Sequence, residues 1–403
     1  MGSRAEGREL ELDVTKIAHG GVGVARHEGR VVFVVDAIPG ERVVARVEDD
    51  SKERFWRAAV LRVLEPSPDR VPHVWPEADL FHDPAERPGG ADYGHIALPR
   101  QRALKGEVLA EALARFAGIE ARPAVEALPG EADGSGWRTR ERLHIASDGS
   151  VGPYAARSHR VVRVSSLPLA VPELRGLAPA SAEPRRGGIL LVAPSADAPR
   201  VAGAGGTIRE RVGERELLIE EGGFWQVHRH AAETLAAAVR QALDPALLDP
   251  GAANLDLYGG VGLLAAALGD AAGPGLRITT VESDPRASAH AAANLAEWRA
   301  EAVAARVERW VRGLADLAAA ERSRLRAATV VLDPPRSGAG RAVLEALAAA
   351  GPAQLVYVAC DPVALARDAG ALAGLGYELT GLRAYDLFPH THHVEAVAAF
   401  RRV

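Results

Sequence analysis

The chain has a single cysteine in 403 residues, Cys360, placed in "LVYVACDPVAL" at the end of an apolar run and directly before Asp-Pro. A buried free cysteine is ordinarily a small, inert hydrophobe. Its placement offers a second reading. A thiol at a strand end, just ahead of a helical pattern, lies where the helix dipole favours the thiolate, the form that attacks electrophilic carbon. Glu395, in "PHTHHVEAV", is expected to enter an apolar strand half-buried. That environment raises a carboxyl pKa and suits the group to accepting a proton. The same stretch holds His390, His392 and His393, but without HExxH or Cys/His ligand spacing, so no metal site is expected there.

Two further segments bear on ligand binding. "LDLYGGVGLLAAAL", residues 255–268, reads as a strand, a Gly-rich turn and a helix start. Glycines such as Gly260 let backbone approach a ligand closely, and the next strand ends in Glu282, placed to accept from ribose hydroxyls. Tight turns between strand and helix need glycine on steric grounds alone, so the pattern has a plain alternative. A dinucleotide fingerprint would want a third glycine where Ala265 stands, and the D-x-x-x-G-x-G form fits S-adenosylmethionine better than NAD. "LDPPRSG", residues 332–338, puts Asp333 before a rigid diproline lip. In amino-methylating enzymes a related acid-Pro-Pro segment grips an exocyclic amine, so this segment alone leaves the target atom open.

These side chains need a scaffold. The runs "NLDLY", "RITTVE", "ATVVLD" and "LVYVAC" alternate with helical patterns such as "PRASAHAAANLAEW", the signature of a parallel sheet with helices on both faces. Two more strand-like runs, at 377–388 and 394–400, have no helix between them and imply an antiparallel edge hairpin. In such sheets ligands bind outside the carboxyl ends of the strands. Asp256, Glu282, Asp333 and Cys360 are therefore predicted to converge on one rim. Ahead of this region, the first ~65 residues show short β-branched runs between Gly-Gly, Glu-Gly and Pro-Gly turns, predicting a five-stranded barrel of a kind that holds RNA. Prolines 66, 68, 72, 76, 84 and 88 mark an irregular linker. A helical period follows over 98–119, then mixed strands to about residue 220.

With 48% hydrophobic and 25% charged residues, the composition is that of a soluble globular protein of two or three domains. No apolar stretch is long enough to cross a bilayer, the start has no apolar signal region, and one cysteine forms no internal disulfide, so a cytoplasmic protein is expected. A formal charge of -5 argues against coating nucleic acid by bulk charge. Basic residues nevertheless cluster in "RTRERLH" (138–144), "RSHRVVR" (157–163) and "PRR" (184–186). Charge alone leaves RNA contact and a solvated face evenly matched. Nothing in the sequence fixes an oligomeric state, and a monomer is compatible with it.

Taken together, "FWQVH" (224–228), "LDPPRSG", "YVACDPVALARD" and "DLFPHTHHVE" resemble the RNA uracil-C5 methyltransferases, the 5-methyluridine family acting on tRNA and 23S rRNA, and the N-terminal unit resembles their TRAM domain. The resemblance spans nearly the whole chain. It implies a class I, Rossmann-like α/β methyltransferase domain at 221–403 with a seven-stranded sheet and an antiparallel edge hairpin. Before it come a TRAM/OB-like β-barrel at 1–66 and a linker plus β-rich central domain at 67–220, both for RNA. It also implies S-adenosylmethionine held by Gln226, Tyr258, Gly260, Glu282 and Asp333, with Cys360 as nucleophile and Glu395 as general base. Many members carry four cysteines for an iron–sulfur cluster, including C-G-G-C-x-x-x-H; here the segment reads "PGGADYGH", with Pro88 and Ala91 in place of thiols, so no cluster is expected. His228 stands for a usual Asn, Gly259 for a common Cys and Leu263 for an Asn. The rival readings are an amino-group methyltransferase using "DPPR", for which Cys360 is dispensable, and a non-catalytic RNA-binding or folding factor.

Overall fold

The structure, a computed structural model, describes residues 7–130, 132–183, 187–203 and 205–403; the basic stretch at 184–186 lies outside the described residues. The chain forms two compact units. One comprises Met1–Val108, Gly130–Leu191 and Phe388–His393, the other Leu109–Pro129, Val192–Leu387 and Val394–Val403. These differ from three consecutive spans ending at 66, 220 and 403, for two reasons. The two-residue strand Val125–Glu126 pairs with Ala384 and Tyr385, which draws residues 109–129 into the second unit. The hairpin of Thr207–Val212 and Arg215–Glu220 bonds to the Pro285–Asn294 helix, Leu218 N donating to Asn294 Oδ1 at 2.8 Å, so it too belongs there.

The first unit opens with a six-stranded sheet built from Glu9–Asp13, Lys16–Ala18, Val22–His27, Arg30–Val35, Arg42–Asp49 and Phe55–Glu65. Alternation turns one face of five strands inward, where Leu10, Leu12, Ala25, Val32, Val34, Val43, Ala45, Trp56 and Val60 form one core. The sixth strand, Lys16–Ala18, was not expected; its Ile17 packs instead with Ile38, Tyr93, Ile96 and Leu104. Further along, Pro88 bridges Ala155 and Arg87 pairs with Asp36 at 2.5 Å, so hydrogen bonds and an ion pair fasten the "PGGADYGH" segment.

The second unit holds an eight-stranded sheet. Its order is Glu301–Ala304, Ile278–Glu282, Asn254–Leu257, Thr329–Leu332, Gln354–Ala359, Glu395–Arg402, Tyr377–Tyr385, then Val125–Glu126. The first five strands run parallel, and Glu395–Arg402 is antiparallel to both neighbours. Six of these strands match runs read in the sequence; Glu301–Ala304 completes the expected seven without having been located there, and Val125–Glu126 adds an eighth outside the expected edge hairpin. Thr329–Leu332 and Gln354–Ala359 are buried along their whole length, because helices cover both faces. No helix among the described residues is long and apolar enough to cross a membrane.

Candidate active site

Parallel strands deliver their last residues to one rim. Tyr258, Glu282, Asp333 and Cys360 stand at or just after the ends of neighbouring strands. Glu395 reaches the same rim for the opposite reason: its strand is antiparallel, so its first residue lies where the others finish. The register pairs Ala359 with Ala396, so Cys360, one residue on, falls beside Glu395, one residue back. Directly opposite residues of an antiparallel pair point to the same face. Tyr385 flanks Glu395 on its other side.

The local electrostatics oppose charge on both groups. Cys360 is partly buried, and burial, then Glu395 and Asp333, push its thiol up to about 12, while Arg336 pulls it down. This corrects the expectation of a dipole-stabilised thiolate. Asp361 caps the Pro362–Gly374 helix, its carboxylate accepting from Val363 N and Ala364 N, so those amides serve a carboxylate and not the sulfur. Glu395 is 4% exposed, more deeply buried than expected. Burial and Asp333 raise its pKa well above the carboxylate range, again against Arg336. Asp333 itself is pushed up to about 7 by burial. It sits at the centre of the rim, acting on Cys360, Glu395 and Asp256.

Asp256 lies one residue inside its strand, fully buried, below the rim on which it was expected. Its Oδ2 accepts from Thr280 Oγ1 at 3.2 Å, its Oδ1 is buried without a hydrogen-bond partner among the described residues, and burial pushes it up to about 7. Above it the Gly-rich turn folds tightly. Gly259 N donates to Val281 O at 3.1 Å and Gly262 N to Gly259 O at 2.8 Å. Tyr258 holds a left-handed φ of 61°, uncommon for a residue with a side chain, and its hydroxyl donates to Glu308 Oε1 at 3.3 Å. Gly260 N donates to Glu282 Oε2 at 3.1 Å, while Asp284 N and Ser283 Oγ hold Oε1.

These features fit an adenosyl group. The space where a side chain on Gly260 would stand holds no atom within 4 Å, and next to it is a carboxylate fixed by three donors at a strand end. Gln226 is half-buried in the segment before the Ala231–Ala242 helix and makes no side-chain hydrogen bond among the described residues. His228 is buried, accepting from His230 N on Nδ1 at 3.1 Å. Leu263 is also buried and lines a separate cleft with Leu217, Ala236 and Ala266.

The histidine stretch belongs to the other unit. There His392 Nδ1 meets Asp92 at 2.7 Å, and His390 contacts Gln101 and the Asp133 carbonyl. Among the described residues no group of three His, Cys, Asp or Glu could hold a metal ion, and one cysteine cannot ligate a four-thiolate cluster. Sequence reading missed Arg336, Thr280, Glu308 and Asp368. Arg336 stood within "LDPPRSG"; Asp368, inside "YVACDPVALARD", accepts from Tyr357 Oη, Ala339 N and Gly340 N, pinning the turn that follows Asp333.

Comparison with known proteins agrees with this geometry. Residues 3–61 match the TRAM domain, and residues 289–403 match the tRNA (Uracil-5-)-methyltransferase family. An uncharacterized RNA methyltransferase of Streptomyces avermitilis is 38% identical over 97% of this chain and 98% of its own. The 23S rRNA (uracil(1939)-C(5))-methyltransferase of Alkalilimnicola ehrlichii is 30% identical over 98% and 96%. The fold matches the Pyrococcus abyssi tRNA (uracil-54, C5)-methyltransferase, solved with S-adenosyl-L-homocysteine, at a TM-score of 0.69 and 22% identity over 97% of this chain and 99% of that one. A rim of Cys360, Glu395 and Asp333 beside a Gly-rich turn, on a chain with these relatives, places the protein in the S-adenosylmethionine-dependent RNA uracil-C5 methyltransferase family.

Proposed function

We propose that the protein methylates C5 of a uridine in tRNA or 23S rRNA through a covalent intermediate on Cys360, working in the cytoplasm. The observation that carries this reading is the register that sets Cys360 beside Glu395. Uracil C5 is a weak nucleophile. Adding the Cys360 thiolate to C6 breaks the C5=C6 π bond and moves its electrons into an enolate, which makes C5 nucleophilic. S-adenosylmethionine, when bound, would supply the electrophilic methyl for C5, its methyl–sulfonium bond breaking so that neutral S-adenosylhomocysteine leaves with the electron pair. Glu395, in its carboxylate form, then takes the C5 proton; the electrons left behind restore C5=C6 and expel the sulfur from C6. A carboxyl with a raised pKa is suited to this transfer. Gln226, Tyr258, Gly260, Glu282 and Asp333 hold the cofactor in this reading, Glu282 through the ribose hydroxyls. Reaching C6 requires an unstacked base, and the barrel and the Gly130–Leu191 region supply the RNA-binding surface.

The test is trapping on RNA containing 5-fluorouracil. Fluorine at C5 cannot leave as a proton, so the C6–sulfur bond should persist as a gel-stable adduct that Cys360→Ala abolishes. Methyl transfer with no adduct, or an adduct indifferent to that substitution, would overturn the reading; an amine methylator gives neither adduct nor 5-methyluridine on nucleoside analysis. Unmodified tRNA and 23S rRNA transcripts decide the substrate by which accepts label.

A further inference from the structure

The two basic stretches 138–144 and 157–163 meet in the first unit around one cleft of about 300 Å³, a size at the lower end of ligand clefts. Arg138, Glu141 and Arg142 line it from one stretch and Arg157 from the other, with Tyr154 and Trp75 between them. Three cations against one carboxylate suit a polyanion. Arg138 pairs with Glu141 at 3.1 Å, and one Arg142 nitrogen donates to Gly187 O at 2.7 Å. Arg157 makes no ion pair among the described residues and is held at a left-handed φ of 58°, a conformation disfavoured for a residue with a side chain.

Tyr154 is fixed as a flat surface. The His144 ring lies parallel to it at 3.4 Å between centroids, and His159 meets it edge-on at 5.3 Å. The backbone behind is fastened as well, Gly89 N donating to Tyr154 O at 2.9 Å and Ala156 N to Arg87 O at 2.9 Å. Trp75 is 5% exposed, and its indole N–H is buried with no acceptor among the described residues, a cost that a ligand acceptor would remove. An aromatic face, an unsatisfied donor, a carboxylate acceptor and peripheral guanidiniums are the parts that bind an unpaired nucleotide.

We propose that this cleft captures an unpaired base of the RNA substrate, distinct from the uridine that is methylated: the base stacks on Tyr154, Trp75 and Glu141 meet its edge, and Arg142 and Arg157 contact the adjoining phosphates. The proposal rests on RNA being the substrate. It also makes this region a determinant of which RNA is chosen.

The test uses the full-length protein and whichever unmodified transcript, tRNA or 23S rRNA fragment, accepts methyl groups. Filter binding across a salt series should show Tyr154→Leu weakening the complex on the order of tenfold with an unchanged salt slope, and Tyr154→Phe restoring it. Arg142→Gln and Arg157→Gln should each reduce the slope by about 0.7–0.9. The same losses should appear in the KM for that transcript, and ultraviolet cross-linking of the wild-type complex should mark the Tyr154 peptide. Unchanged affinities with no cross-link there would overturn the proposal, as would a Tyr154→Leu loss that Tyr154→Phe fails to recover. Wild-type trapping on 5-fluorouracil RNA separates the two readings: an adduct with unchanged affinities sinks the cleft alone, whereas no adduct sinks the covalent mechanism and leaves the binding result to stand.

Discussion

Cys360 and Glu395 stand in register across neighbouring antiparallel strands, next to the Ala359–Ala396 pair, and Glu395 disfavours charge on Cys360. Burial and Asp333 raise both groups, and Arg336 opposes the shift in each. Because Cys360 is the only thiol, alkylation by iodoacetamide reports on it alone. With the thiol pushed up to about 12, the rate should keep rising with pH past 10, where an ordinary thiol has levelled off. Arg336 opposes that shift, so Arg336→Gln should move the midpoint higher still. A plateau by pH 9 in the wild type would show that the carboxylates do not govern the sulfur.

Replacing Glu395 by glutamine separates attack from release. The amide removes a charge that raises the thiol, so the alkylation midpoint should fall. Losing a positioned base should slow proton removal by about 10²–10⁴-fold. The expected result is a protein that still bonds to RNA but releases 5-methyluridine slowly, with adduct accumulating on ordinary RNA in the presence of cofactor. Release at the wild-type rate would exclude Glu395 as the base.

The rim was legible in the sequence because its logic is local. An apolar run ending in Asp333 or Cys360 locates a strand end, and parallel topology brings strand ends together. What escaped was whatever depends on a neighbour. The state of Cys360 turned on Asp361 capping the helix and on carboxylates from two other strands. Asp256 looked like a rim residue, but one position in a strand separates the surface from the core. Val125–Glu126 is too short to show a period. The Tyr154 region is joined through isolated bridges, such as Pro88 with Ala155 and Tyr154 with Val161, which leave no alternation to read.

Asp256 should make stability pH-dependent in a defined direction. Its folded pKa is raised to about 7 from 3.8, so between those values the folded state holds a proton that the unfolded state has lost. The stabilisation is complete below the unfolded pKa and is lost as pH rises through 7. At about 1.4 kcal/mol per unit, the loss is of the order of a few kcal/mol. Asp333 and Glu395 act with the same sign. Asp256→Asn should therefore flatten, without abolishing, the fall in urea midpoint between pH 5 and pH 8. An unaltered fall would mean that Asp256 is ionised in the folded protein at low pH.

The turn after Asp333 is tied down by Asp368, whose Oδ2 accepts from Tyr357 Oη at 2.6 Å, Ala339 N at 2.8 Å and Gly340 N at 3.3 Å. Both side chains are buried. Asp368→Ala leaves the Tyr357 phenol and Gly340 N without an acceptor, while Ala339 N keeps Tyr357 Oη at 3.0 Å, at about 1–3 kcal/mol for each buried group left unmet. Asp368→Asn keeps one acceptor oxygen, and Tyr357→Phe removes the bond to Asp368 and the one from Ala339 N but leaves that amide its bond to Asp368. Melting temperatures should fall in the order Asp368→Ala, then Asp368→Asn, then Tyr357→Phe. Methyl transfer should fall in the same order, since Asp333 and Arg336 flank the turn. If Tyr357→Phe were the most damaging, the phenol rather than the carboxylate would organise the turn.

Gly259 shows how closely the cofactor turn is built onto the strand beneath it. A Cβ at this position would lie well inside van der Waals contact with Thr280 Oγ1 and 2.6 Å from Asp256 Oδ2. Absence of a side chain is therefore what lets the Thr280 hydroxyl bond to Asp256. Gly259→Ala should cost at least the 1–3 kcal/mol typical of roughly one excess methyl group in a packed site. It should also weaken cofactor affinity, because Gly260 and its bond to Glu282 must shift with it. Thr280→Ala removes the principal obstruction while losing one hydrogen bond, worth about 1 kcal/mol. The two substitutions share one space, so their effects cannot add. The double variant should be more stable than the sum of the two losses predicts, yet remain below Thr280→Ala alone because Asp256 Oδ2 still stands 2.6 Å from the new Cβ, and its cofactor affinity, measured by calorimetry, should recover above that of Gly259→Ala. Strict additivity in both measurements would show that the turn is limited by its own backbone conformation and not by contact with Thr280.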